Sequence, residues 1–382
     1  MVASGRLLLS ALALLAVTSA ARSVRAQAAP GDQVPPAQGG AAPATKQVPW
    51  HESTVLWAQR ASTQTLGVGE DYQSRDPYYD WVFYLRPRYY FWENERTSLS
   101  LRGQIWAALE FTDSNTTTER HEFFPEDTLV SLTFQHAFVQ DGEYLTDITL
   151  SFPRLELPTS KASFQSGKIA QLGIRAFPVQ AFPLREGSAF LPRGHVALRL
   201  GYGYQFARGI VPEQSTLNRL RMDSSGTSVT NDQLAGGAFA EHIGVLHALV
   251  GADLWRDGFA IEAEFGLDPS YKFDLSSNTP LCGVVLTGCV NTESVADPQR
   301  LNTATTLDLY LQVKSWGGAL KTALGYENIT GQLKSDGTRR SMLWSPDAKF
   351  YLKLELTPDL LLTQPAAAAR APGRAQTAAI SR

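Results

Sequence analysis

Residues 97–111 read TSLSLRGQIWAALEF. Leu99, Leu101, Ile105, Ala107, Leu109 and Phe111 fall on one parity, and Ser98, Ser100, Arg102, Gln104, Ala108 and Glu110 on the other. Gly103 is neutral on the apolar face, and Trp106 is the one large apolar residue on the polar face. Alternation with period two is the signature of an extended chain, whose successive side chains point to opposite sides. Fifteen residues far exceed the five or six of an average globular strand. This is a long strand with one oily and one wet face.

The pattern recurs along the chain. Val196, Leu198, Leu200, Tyr202, Tyr204 and Phe206 oppose Ala197, Arg199, Gly201, Gly203 and Gln205. Phe259, Ile261, Ala263, Phe265 and Leu267 oppose Ala260, Glu262, Glu264, Gly266 and Asp268. Leu307, Leu309, Leu311 and Val313 oppose Thr306, Asp308, Tyr310, Gln312 and Lys314. In 79–92, Trp81, Phe83, Leu85, Tyr89 and Phe91 oppose Arg86 and Arg88, with Pro87 predicting a bulge or weakened pairing. Less regular strands are expected near 53–62, 127–139, 144–157, 167–180, 238–254, 319–330 and 347–357. The total is twelve, with ten and fourteen as neighbouring counts.

A thirteen-residue strand extends about 43 Å; tilted by about 40°, it crosses a hydrocarbon layer with a margin at each end. The fold class is therefore all-β, a closed antiparallel transmembrane β-barrel, because closure leaves no edge for lipid to solvate. Connections between strands alternate long and short, as expected of an even barrel with both termini on one side. The turn 181–193 is too long for that rule. Tyr78, Tyr79 and Trp81 at one strand end, and Tyr89, Tyr90, Phe91 and Trp92 at the other, suit interfacial girdles. A secreted β-sandwich is the competing fold, but it would use shorter strands at closer spacing.

The 382 residues carry 34 Lys+Arg, 37 Asp+Glu and a net charge of -3, which disfavours nucleic acid as a partner. Mean hydropathy is -0.16; a chain apolar on alternate residues averages near neutral, so this value does not argue against a membrane. Residues 1–26 read as a secretory signal, with Arg6 ahead of the apolar run Leu7 to Ala20. Removing them deletes three arginines and no acid, leaving a more acidic remainder. Residues 27–50 form an Ala/Pro/Gly linker, 51–358 the barrel, and 359–382 a second low-complexity tail, the two flanks being expected to be disordered.

Over 51–358 the chain resembles the bacterial outer-membrane β-barrel proteins, through the signal, strands such as SLSLRGQIWAALEF, alternating loops and aromatic clusters. The resemblance implies a Gram-negative outer membrane, contact with its lipid, insertion by the barrel-assembly machinery, and often passive transport. It also implies periplasmic termini and extracellular long loops. Such chains commonly finish on an aromatic residue, whereas here Phe350, Leu352, Leu354 and Leu356 precede a polar tail.

The polar parity places Arg86, Arg88, Arg102, Glu110, Arg199, Glu262, Glu264, Asp308, Lys314, Lys321 and Glu327 in the lumen, with Lys353 and Glu355 beside them. They are candidates for setting solute selectivity in a pore, or for a plug of salt bridges across a narrow barrel. The leading function is a passive channel for small polar solutes. The second is a non-conducting structural or adhesive barrel acting through its outer loops, and the third an outer-membrane hydrolase. For the hydrolase, His51-Glu52-Ser53 is the only His-x-Ser, and an activated serine needs a neighbouring base. It has no supporting motif, so no enzyme is expected. His121 with Glu119, Glu122, Glu126 and Asp127 reads as a solvated acidic loop. His136, His195, His242 and His247 share no metal-ligand spacing, and no cofactor is implied. Cys282 and Cys289 are expected to form a local disulfide in an oxidising compartment. Asn115-Thr116-Thr117 matches a glycosylation sequon only by its short pattern.

Overall fold

Two-residue alternation becomes two surfaces once the strands are paired in register. The computed structural model describes residues 48–63, 65, 78–112, 121–141, 144–185, 188–210, 220–222, 228–230, 238–255, 258–274, 280–282, 289–291, 300–331, 341–345 and 348–363. The signal segment, most of the linker, the tail beyond 363, Glu119 and the Asn115 sequon lie outside them.

Twelve strands run up and down in chain order. They are β1 Thr54–Ser62, β2 in two segments (Tyr79–Arg86 and Arg88–Glu93), β3 Thr97–Glu110 and β4 Thr128–Asp141. Next come β5 Tyr144–Leu157, β6 Lys168–Pro183, β7 Arg193–Ala207 and β8 Ala240–Trp255. The last four are β9 Phe259–Lys272, β10 Leu301–Ser315, β11 Leu320–Gly331 and β12 Lys349–Leu356. Each pairs antiparallel with its chain neighbours, and β1 pairs with β12 from Val55↔Leu356 to Ser62↔Lys349, which closes the ring. The fold is a closed twelve-stranded antiparallel barrel. The final strand is fully paired on both sides despite the polar tail that follows it.

Pro87 interrupts β2, as its missing N–H dictates. Its carbonyl still accepts from Gly103 N at 2.9 Å. A Cβ at Gly103 would stand 3.0 Å from the Pro87 ring, which explains the glycine in the oily parity of β3. The strands end close to where the loop rhythm predicts, except that β6 runs on to Pro183, leaving only 184–192 as its turn, and β9 runs on to Lys272.

Outward side chains are large and apolar: Ile105 is 50% exposed and Leu324 63%. An apolar belt of this extent is what lipid, rather than water, would cover. Trp92, Tyr144, Trp255 and Trp316 lie exposed at the end with short turns, and Tyr202 and Tyr271 toward the other. Tyr78 and Tyr90, expected in the girdles, instead turn inward. They share the parity of Asp80 and Arg88, so Tyr78 O–H donates to Asp80 at 2.7 Å and Tyr90 stacks on His51 at 3.9 Å.

Both flanks of the barrel depart from the sequence expectation at their inner edges. Residues 48–53 turn back along β2, where Tyr90 N donates to Pro49 O at 2.7 Å. Pro358–Thr363 forms the helix α2, and buried Asp359 accepts from Glu52 N at 3.2 Å. The physical reason is local: a Leu-Leu-Leu run has helix propensity, and an acid in the first turn suits the helix dipole.

Leu200 and Arg199 are neighbours in β7 on opposite faces, outer and inner. Replacing Leu200 by Arg should cost about 2–4 kcal/mol, read as a lower urea midpoint of the barrel refolded in lipid vesicles. An unchanged midpoint would mean that this face does not meet hydrocarbon.

Candidate functional site

The inner faces of the strands enclose a cavity of about 370 Å³. Its walls include Arg86, Arg193, His195, Asp253, Glu262, Lys314, Lys321, Glu327, Lys353 and Glu355. Arg86 and Lys321 share Glu355, at 3.5 and 3.0 Å, and Arg193 pairs with Asp253 at 3.0 Å. Glu262 accepts from the Tyr310 hydroxyl and lies 3.8 Å from His195. Lys353 places its ammonium 3.8 Å from the centre of the Tyr351 ring.

The remaining predicted lumen residues are spent in wall networks rather than on the cavity surface. Arg88 pairs with Glu52 and donates through Nε to Ser100 Oγ at 3.1 Å. Arg102 is its cross-strand partner, and Arg102 Nε is buried with no hydrogen-bond partner among the described residues. Glu110 is fully buried and accepts from Thr112 Oγ1 at 2.9 Å. Asp308 accepts from the Tyr351 hydroxyl at 2.7 Å. Glu264, 2% exposed, accepts from Arg199 Nη1 at 2.6 Å. His247 bridges Glu264 to Asp268, its Nε2 lying 2.8 Å from Asp268 Oδ1. Buried charges are tolerated only when paired and further hydrogen-bonded, and the Arg199, Glu264, His247 and Asp268 network meets that condition across three strands.

The sequence reading missed several inward ionisable groups: Arg60 and Asp80, which pair with each other, Asp147, Arg193 and Asp253. It also missed that the inner wall is partly apolar. Leu56, Ala58, Val82 and Ala108 are buried on β1 to β3, with Tyr84 and Trp106 stacked at 5.2 Å beside them. Val179, Ala197 and Leu249 form a second buried cluster with Phe177. Such residues blur the oily–wet contrast, which is why β1 and β6 read weakly. In β5 a register shift between Ser151 and Arg154 also breaks the parity count.

His51 and Ser53 are each engaged by other groups. The His51 ring stacks on Tyr90, its Nε2 lies 3.2 Å from Glu93 and its Nδ1 2.8 Å from Val48 O. The Ser53 hydroxyl donates to Trp50 O at 2.7 Å and accepts from Arg88 N at 3.0 Å. His121 is exposed, while Glu122 takes Lys161 Nζ at 3.1 Å. His242 sits outside among aromatics and His247 inside, the opposite faces that their five-residue spacing dictates. Among the described residues there is no group of three or more His, Cys, Asp or Glu able to hold a metal ion.

At the long-loop end, Asp127 ties the short helix α1 (Lys161–Ser166) to the rim. It accepts from Ser160 N at 3.0 Å, Ser163 Oγ at 2.5 Å and Lys168 Nζ at 2.8 Å. Burial works to raise the Asp127 pKa, but the bonds from Lys168 and the two serines outweigh it and hold it below the usual carboxylate range. Neighbouring Glu126 is pushed up to about 7, by burial first and then by the charge of Asp127.

No protein-family model matches the chain, and no curated protein matches it in sequence. Among solved structures it is similar to an outer-membrane channel from Pseudomonas putida F1, at 10% identity and a TM-score of 0.46, over 82% of this chain and 98% of that one. It is also similar to the β domain of the Bordetella autotransporter BrkA, at 11% identity and 0.32, over 80% and 98% of the two chains. LpxR from Salmonella typhimurium aligns at 9% identity and 0.33, over 80% and 99%. The likeness is one of barrel architecture.

Two outcomes follow from the long loops. Cys282 stands directly opposite Cys289 in the hairpin Pro280–Cys282/Cys289–Asn291. Opposed antiparallel residues have Cα atoms about 4.5–5.5 Å apart, within the range of about 4.4–6.8 Å that a disulfide spans. A non-reducing peptide map should find them linked; two free thiols would defeat the expectation. Glu126, with its raised pKa, binds a proton in the folded state that the unfolded chain has already lost between about pH 4.5 and 7. Its contribution to stability is therefore full below that window and is lost as pH rises through it. The urea midpoint should fall more from pH 5 to pH 8 in the wild type than in Glu126→Gln, and equal falls would refute the assignment.

Proposed function

We propose that the chain is an integral outer-membrane barrel acting as a passive channel for small solutes, with no catalytic group assigned. One observation carries the reading: the lumenal ion pairs run along the wall around a cavity instead of meeting across it. Arg193–Asp253 and Lys321–Glu355 join adjacent strands, while Arg86–Glu355 and Arg199–Glu264 each skip one strand. Charges arranged this way leave the cavity of about 370 Å³ between them and present it with fixed dipoles, as a selective pore requires. The apolar outer belt and aromatic ends support a membrane setting.

On this reading the short turns and both barrel termini face the periplasm, and the long loops the exterior. Insertion falls to the barrel-assembly machinery of a Gram-negative cell.

The full chain, refolded in lipid and checked by heat-modifiable migration in detergent gels, should give discrete conductance steps in planar bilayers. A correctly migrating barrel that stays silent at every voltage would overturn the channel reading.

A further inference from the structure

The lumen is not uniformly polar, and its asymmetry specifies a ligand chemistry. One continuous row of cross-strand partners crosses six adjacent strands on the inner wall: Lys314↔Lys321 from β10 to β11, Lys321↔Glu355 to β12, and Glu355↔Leu56 to β1. The row continues Leu56↔Tyr84 to β2 and Tyr84↔Trp106 to β3. All six line the same cavity. Within a single row the wall passes from cationic to aliphatic to aromatic.

The cationic end of the row sets two lysines, Lys314 and Lys321, beside one carboxylate, Glu355. Glu355 is already shared between Arg86 at 3.5 Å and Lys321 at 3.0 Å, and Lys314 stands directly opposite Lys321. Like charges facing each other across antiparallel strands are destabilising, and an anion held near them relieves the repulsion. At the other end Tyr84 and Trp106 stack with ring centroids 5.2 Å apart. Phe177 and Val179 on β6 and Leu249 on β8 form a second apolar patch on the same cavity, three to six strands round the ring from them. An apolar body between two such patches leaves water, while a purely polar solute would gain nothing from them.

We propose that the lumen selectively binds monocarboxylates bearing an aromatic or aliphatic body. The carboxylate sits at Lys314 and Lys321, and the body lies against Leu56, Tyr84 and Trp106. This deepens the channel reading and rests on it for the ligand's way in. A cavity of about 370 Å³ falls within the usual range for small-ligand sites, about 300–1,000 Å³.

Calorimetric titration of the full chain in lipid nanodiscs tests it with 3-phenylpropionate, against propionate, which lacks the ring, and 3-phenylpropanol, which lacks the charge. Saturable binding of 3-phenylpropionate, at least about tenfold tighter than either control, is expected. Lys314→Gln/Lys321→Gln should abolish the preference over the alcohol, and Trp106→Ala should reduce the preference over propionate, both variants retaining heat-modifiable migration. Equal affinities for the three compounds, or a double-lysine variant that binds as the wild type does, would overturn the proposal. Conductance of the same preparations separates the two ideas. Saturable binding in a silent barrel supports the site and removes the channel, whereas conductance without saturable binding removes the site alone.

Discussion

Backbone closure is the constraint on which everything else in this barrel depends. In hydrocarbon no water can satisfy a free N–H or C=O, so every strand needs a partner on both sides. The pairing of β1 with β12 meets that demand for the two strands farthest apart in sequence, over eight consecutive residue pairs. Once the ring is closed, parity assigns every side chain to lipid or lumen, and a one-residue slip would exchange the two sets along the whole strand. The lead-in segment supports the closure at the turn end. Glu52 joins Arg88 and Tyr90 through its carboxylate, and its amide donates to Asp359 of α2.

Closure brings a second problem: charged residues of the wet parity converge on a narrow interior. The structure answers by distributing them in short local networks. Arg60 and Asp80 pair beside the Tyr78 hydroxyl, and Arg199, Glu264, His247 and Asp268 form a chain that Thr306 extends with a bond of 3.0 Å. Such pairs offset their desolvation only when the remaining donors and acceptors are also satisfied. The networks rigidify the wall, and the groups left on the cavity surface give it an uneven character: cationic over β10 to β12 and apolar over β1 to β3 and β6 to β8.

Much of the fold was legible in residues. SLSLRGQIWAALEF alone announced a long two-faced strand, and Pro87 announced the break in β2 that the structure shows. The face assignment also held for Trp106 and Tyr310, large residues on the wet parity that indeed turn inward, the one stacking on Tyr84 and the other bonding to Glu262. The site was less legible. Val82 is 0% exposed on the inner wall, yet by composition it belongs to the lipid face, which blurs the alternation of β2. Arg88, Arg102, Arg199 and Glu264 all fall on the wet parity of their strands. Nothing in their spacing tells that they close networks within the wall while Lys314, Lys321 and Glu355 face the cavity.

Local sequence determined the period, and with it the strands, their approximate ends and which residues face together, because side-chain direction along an extended backbone depends only on the residue's own position. The tertiary structure decided the ring, the register and the neighbours. Lys314, Lys321, Glu355, Leu56, Tyr84 and Trp106 become one row only when strands nearly 300 residues apart in the chain lie side by side, and no local rule of a sequence encodes that adjacency.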